Sequence, residues 1–260
     1  MSKKVKKYKL GLVLSGGGSR GFAHIGVLKA LNEEGFYPDI ISAVSAGSII
    51  GAFYADGFAP DEIFKIFDDS RAKKFWEITI PRQGLLKVTG LIRVLKENLR
   101  AKNIEDLKIP LFVAATDLNN GKIVFFSKGE LIRSIIASSS IPILFQPVII
   151  DNITYVDGGV LNNLPVQPIK DCCETIIGVH LNPTGYKNDF RRLRNIAERC
   201  FHLSIEKTVK NISKNKCDIY IEPEYLGKFG LLDMKKSEQL FEIGYNTTKK
   251  TLKEYKINKL

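Results

Sequence analysis

The order of elements along these 260 residues predicts an α/β layered fold with a largely parallel central sheet. Short apolar runs bounded by turn residues alternate with segments whose apolar residues recur at helical spacing. A glycine-rich loop joins the first run to the first helix, and no linker, repeat or low-complexity tract divides the chain, which argues for one domain.

The run "LGLVLS" (10–15) ends at Gly16 and reads as a buried strand. In "GFAHIGVLKALNEEG", Phe22, Ile25, Leu28 and Leu31 recur every three residues, a helical stripe that Gly35 can stop. "IISAVS" is a second strand and "AGSIIGAFYADG" a helix, and Pro60 opens the helix "PDEIFKIFDDSRAKKFW" at the first position, which proline favours. "TGLIRVLKENL" from Thr89 is helical. "IPLFVAATDL" and "GKIVFFS" are strands joined by the turn signal "NNG". "ELIRSIIASSS" is a helix, "ITYVDGG" a strand running into a glycine turn, and "TIIGVHLN" a buried strand. A long basic helix over about 189–214 precedes the strand "CDIYIEP", and "MKKSEQLFEIGYNTTKKTLKEY" closes the chain as a helix.

With 39 Lys+Arg against 28 Asp+Glu the net charge is +11, and lysines crowd both ends. Such a surplus solubilises, and it also attracts polyanions or anionic membrane. Neither a nucleic-acid-binding module nor an interleaved aromatic and basic stripe accompanies it, so nucleic acid is not an expected partner. Cys172, Cys173, Cys200 and Cys217 lack metal-ligand spacing, and no secretory apolar region follows the basic start. No apolar stretch approaches the roughly 20 residues that span a bilayer. A reducing, cytoplasmic setting is expected.

Gly16-Gly17-Gly18-Ser19-Arg20-Gly21 fits Gly-x-Gly-x-x-Gly, yet the second strand ends in Ser45, where a dinucleotide-binding fold would place an acid. These glycines suit other chemistry. In a parallel sheet the ends of strands one and two lie side by side, which sets the loop against Ser45 with backbone N–H groups at a helix N-terminus. Donors there would form an oxyanion hole. Arg20 could fix the loop, attract an anionic head group or pair with a surface acid.

Ser45 stands at a strand-to-helix junction among small neighbours, Ala43, Ala46, Gly47 and Ser48, as a nucleophile elbow requires. Serine is also a common helix cap. His180 could complete a Ser45, Asp157, His180 order, but it lies in an apolar strand run, whereas His24 packs early in a helix and His202 rides the basic helix. Asp157, aimed by the Gly158-Gly159 turn, is the better candidate base: its carboxylate is weak, but burial can strengthen it.

Together "GGGSRG", "AVSAGS", "ATDLNNGKIVFFS", "SSSIPILFQPV" and "DGG" resemble, in order, the patatin-like phospholipase family, in particular its small bacterial members. The resemblance runs from about Leu10 to Pro168. It implies a three-layer α/β/α fold, with a basic tail at 1–9, a catalytic core at 10–170 and residues 171–260 completing the same domain. It further implies a Ser45 nucleophile, an Asp157 base, an oxyanion hole from Gly16, Gly17 and Gly18, and supporting roles for Arg20, Gly21, Gly47, Gly158 and Gly159. The reaction implied is hydrolysis of lipid acyl esters without metal or organic cofactor, on phospholipid or a similar lipid; the basic surface adds the expectation of peripheral contact at an anionic inner-membrane surface. Acyl transfer and silent lipid binding are the alternatives. Ala43 departs from the family's usual glycine, and the match loosens after about residue 170. Phe75-Trp76 and "RQGLLKVTGLI" are candidates for an apolar lip, with core packing equally open to them.

Overall fold

Leu10, Leu12 and Leu14 of β1 (Tyr8–Leu14) enter one apolar cluster, while Val13 enters another on the opposite side. This is the alternation of a strand covered on both faces. The computed structural model describes residues 7–69, 89–142, 144–183, 213–230 and 234–257, together with isolated positions between 185 and 209. Around β1 it places β2 (Ile40–Val44), β3 (Leu111–Asp117), β4 (Lys122–Phe126), β5 (Val148–Ile150), β6 (Ile153–Asp157), β7 (Cys173–Val179) and β8 (Ile219–Ile221). The helices are α1 (Gly21–Glu33), α2 (Ala46–Ala55), α3 (Pro60–Asp68), α4 (Thr89–Asn98), α5 (Leu131–Ser138) and α6 (Ser237–Ile257).

Strands β3, β2, β1, β7 and β8 run parallel in that order, and β4, β5 and β6 add antiparallel pairs at the β3 end. Helices α1 to α4 and α6 contribute to the apolar cluster on one face, and Leu164, Val166 and Ile169 cover the other. The result is a three-layer α/β/α arrangement with a mostly parallel centre, as the element order predicts.

One feature of the register positions the site. β4 occupies one edge of β3 from Val113 to Asp117. The other edge is shared, because β2 pairs as far as Val44↔Ala114 and β6 takes over at Asp157↔Ala115. Two strands thus meet end to end along β3, with Ser45 following one terminus and Asp157 closing the other.

The structure departs from the sequence reading in two places, and part of that reading lies outside the described residues. β5 lies in "PVII", which carries no alternation and was assigned to no element. Helix α3 ends at Asp68, where the sequence reading ran on to Trp76; residues 70–88, including Phe75, Trp76 and the first part of the expected lip, lie outside the described residues. Most of the expected basic helix at 189–214, with His202, lies outside them as well. Among the described residues no helix is long and apolar enough to cross a membrane.

Candidate active site

Ser45 holds φ 52° and ψ −126°, a conformation that few non-glycine residues adopt and that the surroundings must impose. Two contacts impose it. Its N–H donates to Ser138 Oγ at 2.8 Å, and that hydroxyl donates onward to the Ala114 carbonyl at 2.6 Å. The helix α2 then starts at Ala46, so its positive end faces the serine. Gly47 lets the turn close, since a Cβ there would stand 2.5 Å from the Leu14 carbonyl oxygen and 2.6 Å from that of Ser15. Ala43, where the family usually has glycine, is fully buried, and Gly51 leaves room for its methyl: a Cβ at Gly51 would stand 3.6 Å from it. Ser138→Ala should leave the buried Ser45 N–H without an acceptor, at about 1–3 kcal/mol. Thermal melting should register this as a midpoint lowered by roughly 3–10 °C.

Asp157 is buried at the end of β6; its carboxyl accepts the Gly159 N–H at 2.7 Å and has the Ser45 hydroxyl as a neighbour that favours its ionised form. Burial raises its pKa from 3.8 to about 6, and these two neighbours oppose the rise without cancelling it. Gly158 permits this approach, as a Cβ there would meet the Ala114 carbonyl oxygen at 2.5 Å.

The glycine loop lies on the other side of Ser45. A Cβ on Gly16 would stand 3.0 Å from Ser45 Cβ and 3.6 Å from its Oγ. The Gly16 N–H donates to Asn163 Oδ1 at 3.2 Å, while the Gly16 carbonyl accepts from Asn182 Nδ2 at 2.7 Å and from Ser15 Oγ at 2.9 Å. The Gly17 and Gly18 amides have no acceptor among the described residues. Gly18 takes a positive φ of 57°, and Gly21 brings the start of α1 close to Ala46, 3.2 Å from a notional Cβ to the alanine methyl.

Arg20 does not lie on the surface. It is 1% exposed and donates to the carbonyls of Leu181 (3.2 Å) and Phe229 (2.8 Å) and to Asn182 Oδ1 (3.0 Å). Of the uses open to it in the sequence, the structure displays the loop-fixing one. Through Asn182, Arg20 holds the amide that holds Gly16.

The two described histidines, His24 and His180, make other contacts. His180 Nδ1 lies 2.8 Å from Glu222 Oε1, and its ring stacks on Tyr220 at 6.3 Å, two strands from Ser45. His24 Nε2 donates to the Ser15 carbonyl at 2.7 Å, and burial pushes its pKa down to about 4, so it stays neutral beneath the loop. Asn163, Asn182 and Ser138 carry no signal of their role in the sequence, although Ser138 and Asn182 lie within the quoted stretches "SSSIPILFQPV" and "TIIGVHLN".

Beside the loop opens an apolar cavity, continuous with solvent at its mouth. Gly18 and Gly21 from the loop side, Ala46 next to the serine, and Phe22, Ile50 and Phe67 are among its walls.

A family model, Patatin-like phospholipase, matches residues 12–169. An uncharacterized NTE family protein of Mycobacterium tuberculosis is 33% identical over 177 residues, covering 67% of this chain and 49% of that protein. Lysophospholipase NTE1 of Coccidioides immitis is 29% identical over 284 residues, covering 95% of this chain but 18% of that protein. The chain thus spans from under a fifth to about half of the curated relatives cited here. Among solved structures, VipD from Legionella pneumophila matches with a TM-score of 0.55 at 17% identity, over 95% of this chain and 67% of that one, a likeness of fold. With more than half of its length matched by the family model, the chain belongs to the patatin-like phospholipase family.

Proposed function

We propose that the chain hydrolyses fatty-acyl esters of lipids with a Ser45–Asp157 dyad. The observation that carries the reading is the Ser45 hydroxyl on a buried carboxyl, at a strained turn beside two unengaged backbone amides. Ser45 Oγ attacks the ester carbonyl as Asp157 takes its proton, and the Gly17 and Gly18 N–H groups hold the oxyanion. Collapse expels the alcohol, which leaves with the proton from Asp157. Asp157 then takes a proton from water as the hydroxide attacks the acyl-serine, and returns it to Ser45 as the fatty acid departs. A carboxyl with a pKa of about 6 is mostly ionised at neutral pH and still a better base than an exposed aspartate.

The cavity supports an acyl-chain substrate. Its apolar walls begin at Gly18 and Ala46, where the oxyanion donors and the nucleophile stand, so an acyl chain bound there presents its carbonyl to Ser45. A relative is named a lysophospholipase, and a single-chain phospholipid is the substrate class we infer. The +11 surface favours delivery from an anionic bilayer, each basic residue near it contributing about 1 kcal/mol.

A fluorophosphonate probe should label the wild-type chain at one site, Ser45, and leave Ser45→Ala unlabelled. Lysophospholipid in anionic vesicles should release fatty acid faster than in neutral ones, with the difference lost in high salt. Absence of labelling at Ser45 would leave lipid binding without catalysis. Labelling together with transfer of the acyl group to an added alcohol in place of release would indicate an acyltransferase.

A further inference from the structure

We propose that Asn163 is a positioning residue of the hydrolysis read above, joining the turn that carries the base to the loop that carries the oxyanion donors, and that it must be a neutral amide to do so. The proposal rests on the dyad reading and adds a residue to it.

One oxygen makes the join. Asn163 Oδ1 accepts the Gly16 N–H at 3.2 Å, and it lies 2.6 Å from where a Gly16 Cβ would stand. The same oxygen lies 2.8 Å from where a Gly159 Cβ would stand, with Asp157 Oδ1 3.0 Å from that point. Neither glycine can gain a side chain without displacing Asn163. With Asn182 on the Gly16 carbonyl, both ends of this residue's backbone are pinned, and Gly17 and Gly18 follow from it with their amides unengaged.

The identity of the side chain is the informative part. Asn163 is 2% exposed, and its Nδ2 is buried with no partner among the described residues. A buried donor left unmade is a cost that native structures seldom carry without cause. Aspartate has the same shape, would accept the Gly16 N–H equally well and would remove the orphan donor. It would also set a second carboxylate on the same side of Gly159 as Asp157, both oxygens within 3.0 Å of where a Gly159 Cβ would stand, and like charges that near disfavour each other's ionisation. The amide therefore trades an unsatisfied donor for a base that keeps its own proton affinity.

The charged neighbourhood leaves that affinity exposed to such a change. From the elbow, Asp157 meets the neutral Ser45 hydroxyl, and from its own turn the Gly159 amide. On β3, Asp117 stands two register positions away, opposite Tyr155, and is held by Asn120 and Lys122. On the loop side Arg20 is bound to Leu181, Asn182 and Phe229, and His24 is neutral.

The test compares Asn163→Asp, Asn163→Ala and wild type on a soluble short-chain p-nitrophenyl ester between pH 5 and 9, with thermal melts alongside. Asn163→Asp should move the rising limb of the kcat profile up by at least about one pH unit, lower kcat at pH 7 by about twofold or more at little changed KM, and recover the rate by pH 9. Asn163→Ala should lose about tenfold to a hundredfold in kcat at every pH, with the limb in its wild-type place, because the loop has lost its anchor but the base has gained no neighbour. A merely structural asparagine would lower the melting temperatures and leave the limb unmoved. An unmoved limb in Asn163→Asp, or wild-type kcat in Asn163→Ala, overturns the proposal alone; if the aspartate variant does not fold, the kcat of the alanine variant decides. A Ser45→Ala chain that still hydrolyses the ester at the wild-type rate would overturn the dyad reading and this proposal together.

Discussion

Replacing Asp157 by asparagine is expected to cut ester hydrolysis by about 10³-fold or more while making the folded chain more stable at pH 8. The first effect follows from the proposed dyad: an amide cannot take the serine proton, and only the Gly17 and Gly18 amides proposed to hold the oxyanion would supply a residual rate. The second follows from burial. Asp157 binds its proton more tightly in the folded chain, at a pKa of about 6 against 3.8 for an ordinary aspartate. A raised acid stabilises the fold least when ionised. The penalty is absent below pH 3.8, grows between 3.8 and 6, and is constant above. About two pKa units at 1.36 kcal/mol each make it roughly 3 kcal/mol.

Asparagine keeps an oxygen for the Gly159 N–H and removes the buried charge. Its melting temperature should exceed that of the wild type by roughly 5–10 °C at pH 8, and the two should converge near pH 3.5. Wild-type activity should rise with pH through about 6, over the same interval in which its stability falls. An asparagine variant that melts at or below wild type at pH 8 would mean that Asp157 is not ionised against a cost, and the dyad would lose its energetic basis.

What could be read in the sequence is what turns determine locally. A strand ending in three glycines, a serine flanked by small residues at a junction, and "DGG" after a strand each constrain the backbone over a few residues, so Ser45, Asp157 and the loop stand out. Asn163, Asn182 and Ser138 act through hydrogen bonds that span 147, 166 and 93 residues. Before the chain is folded, asparagine and serine in such stretches look like ordinary turn residues. Arg20 keeps three uses open in the sequence for a related reason: two of its acceptors here are the backbone carbonyls of Leu181 and Phe229, which no side-chain pattern announces. β5 is three residues long and unburied, too short for alternation to register.

The C-terminal helix is where the family match has ended and sequence resemblance says least, yet Gly244→Ala should be among the most damaging single substitutions to stability. Glycine to alanine inside a helix ordinarily stabilises by up to about 1 kcal/mol. Here the opposite sign is expected. A Cβ on Gly244 of α6 would stand 2.1 Å from the Ala23 carbonyl oxygen of α1, and one on Gly26 of α1 would stand 2.0 Å from that of Phe241. The two helices touch backbone to backbone, and neither obstacle is a flexible side chain. Around the contact, Tyr245 donates to Glu33 at 2.6 Å, and Lys249 and Lys256 both reach Glu34 at 2.5 Å, so the crossing cannot slide without breaking them.

Overpacking of this kind costs about 3 kcal/mol, which should lower the melting temperature by roughly 6–12 °C. Because α1 begins where the oxyanion loop ends, at Gly21, a forced shift of this helix is transmitted to Gly17 and Gly18, and kcat should fall as well. A Gly244→Ala chain that melted above wild type would show the helices free to part, and would make the matched segment 12–169 independent of its C-terminal support.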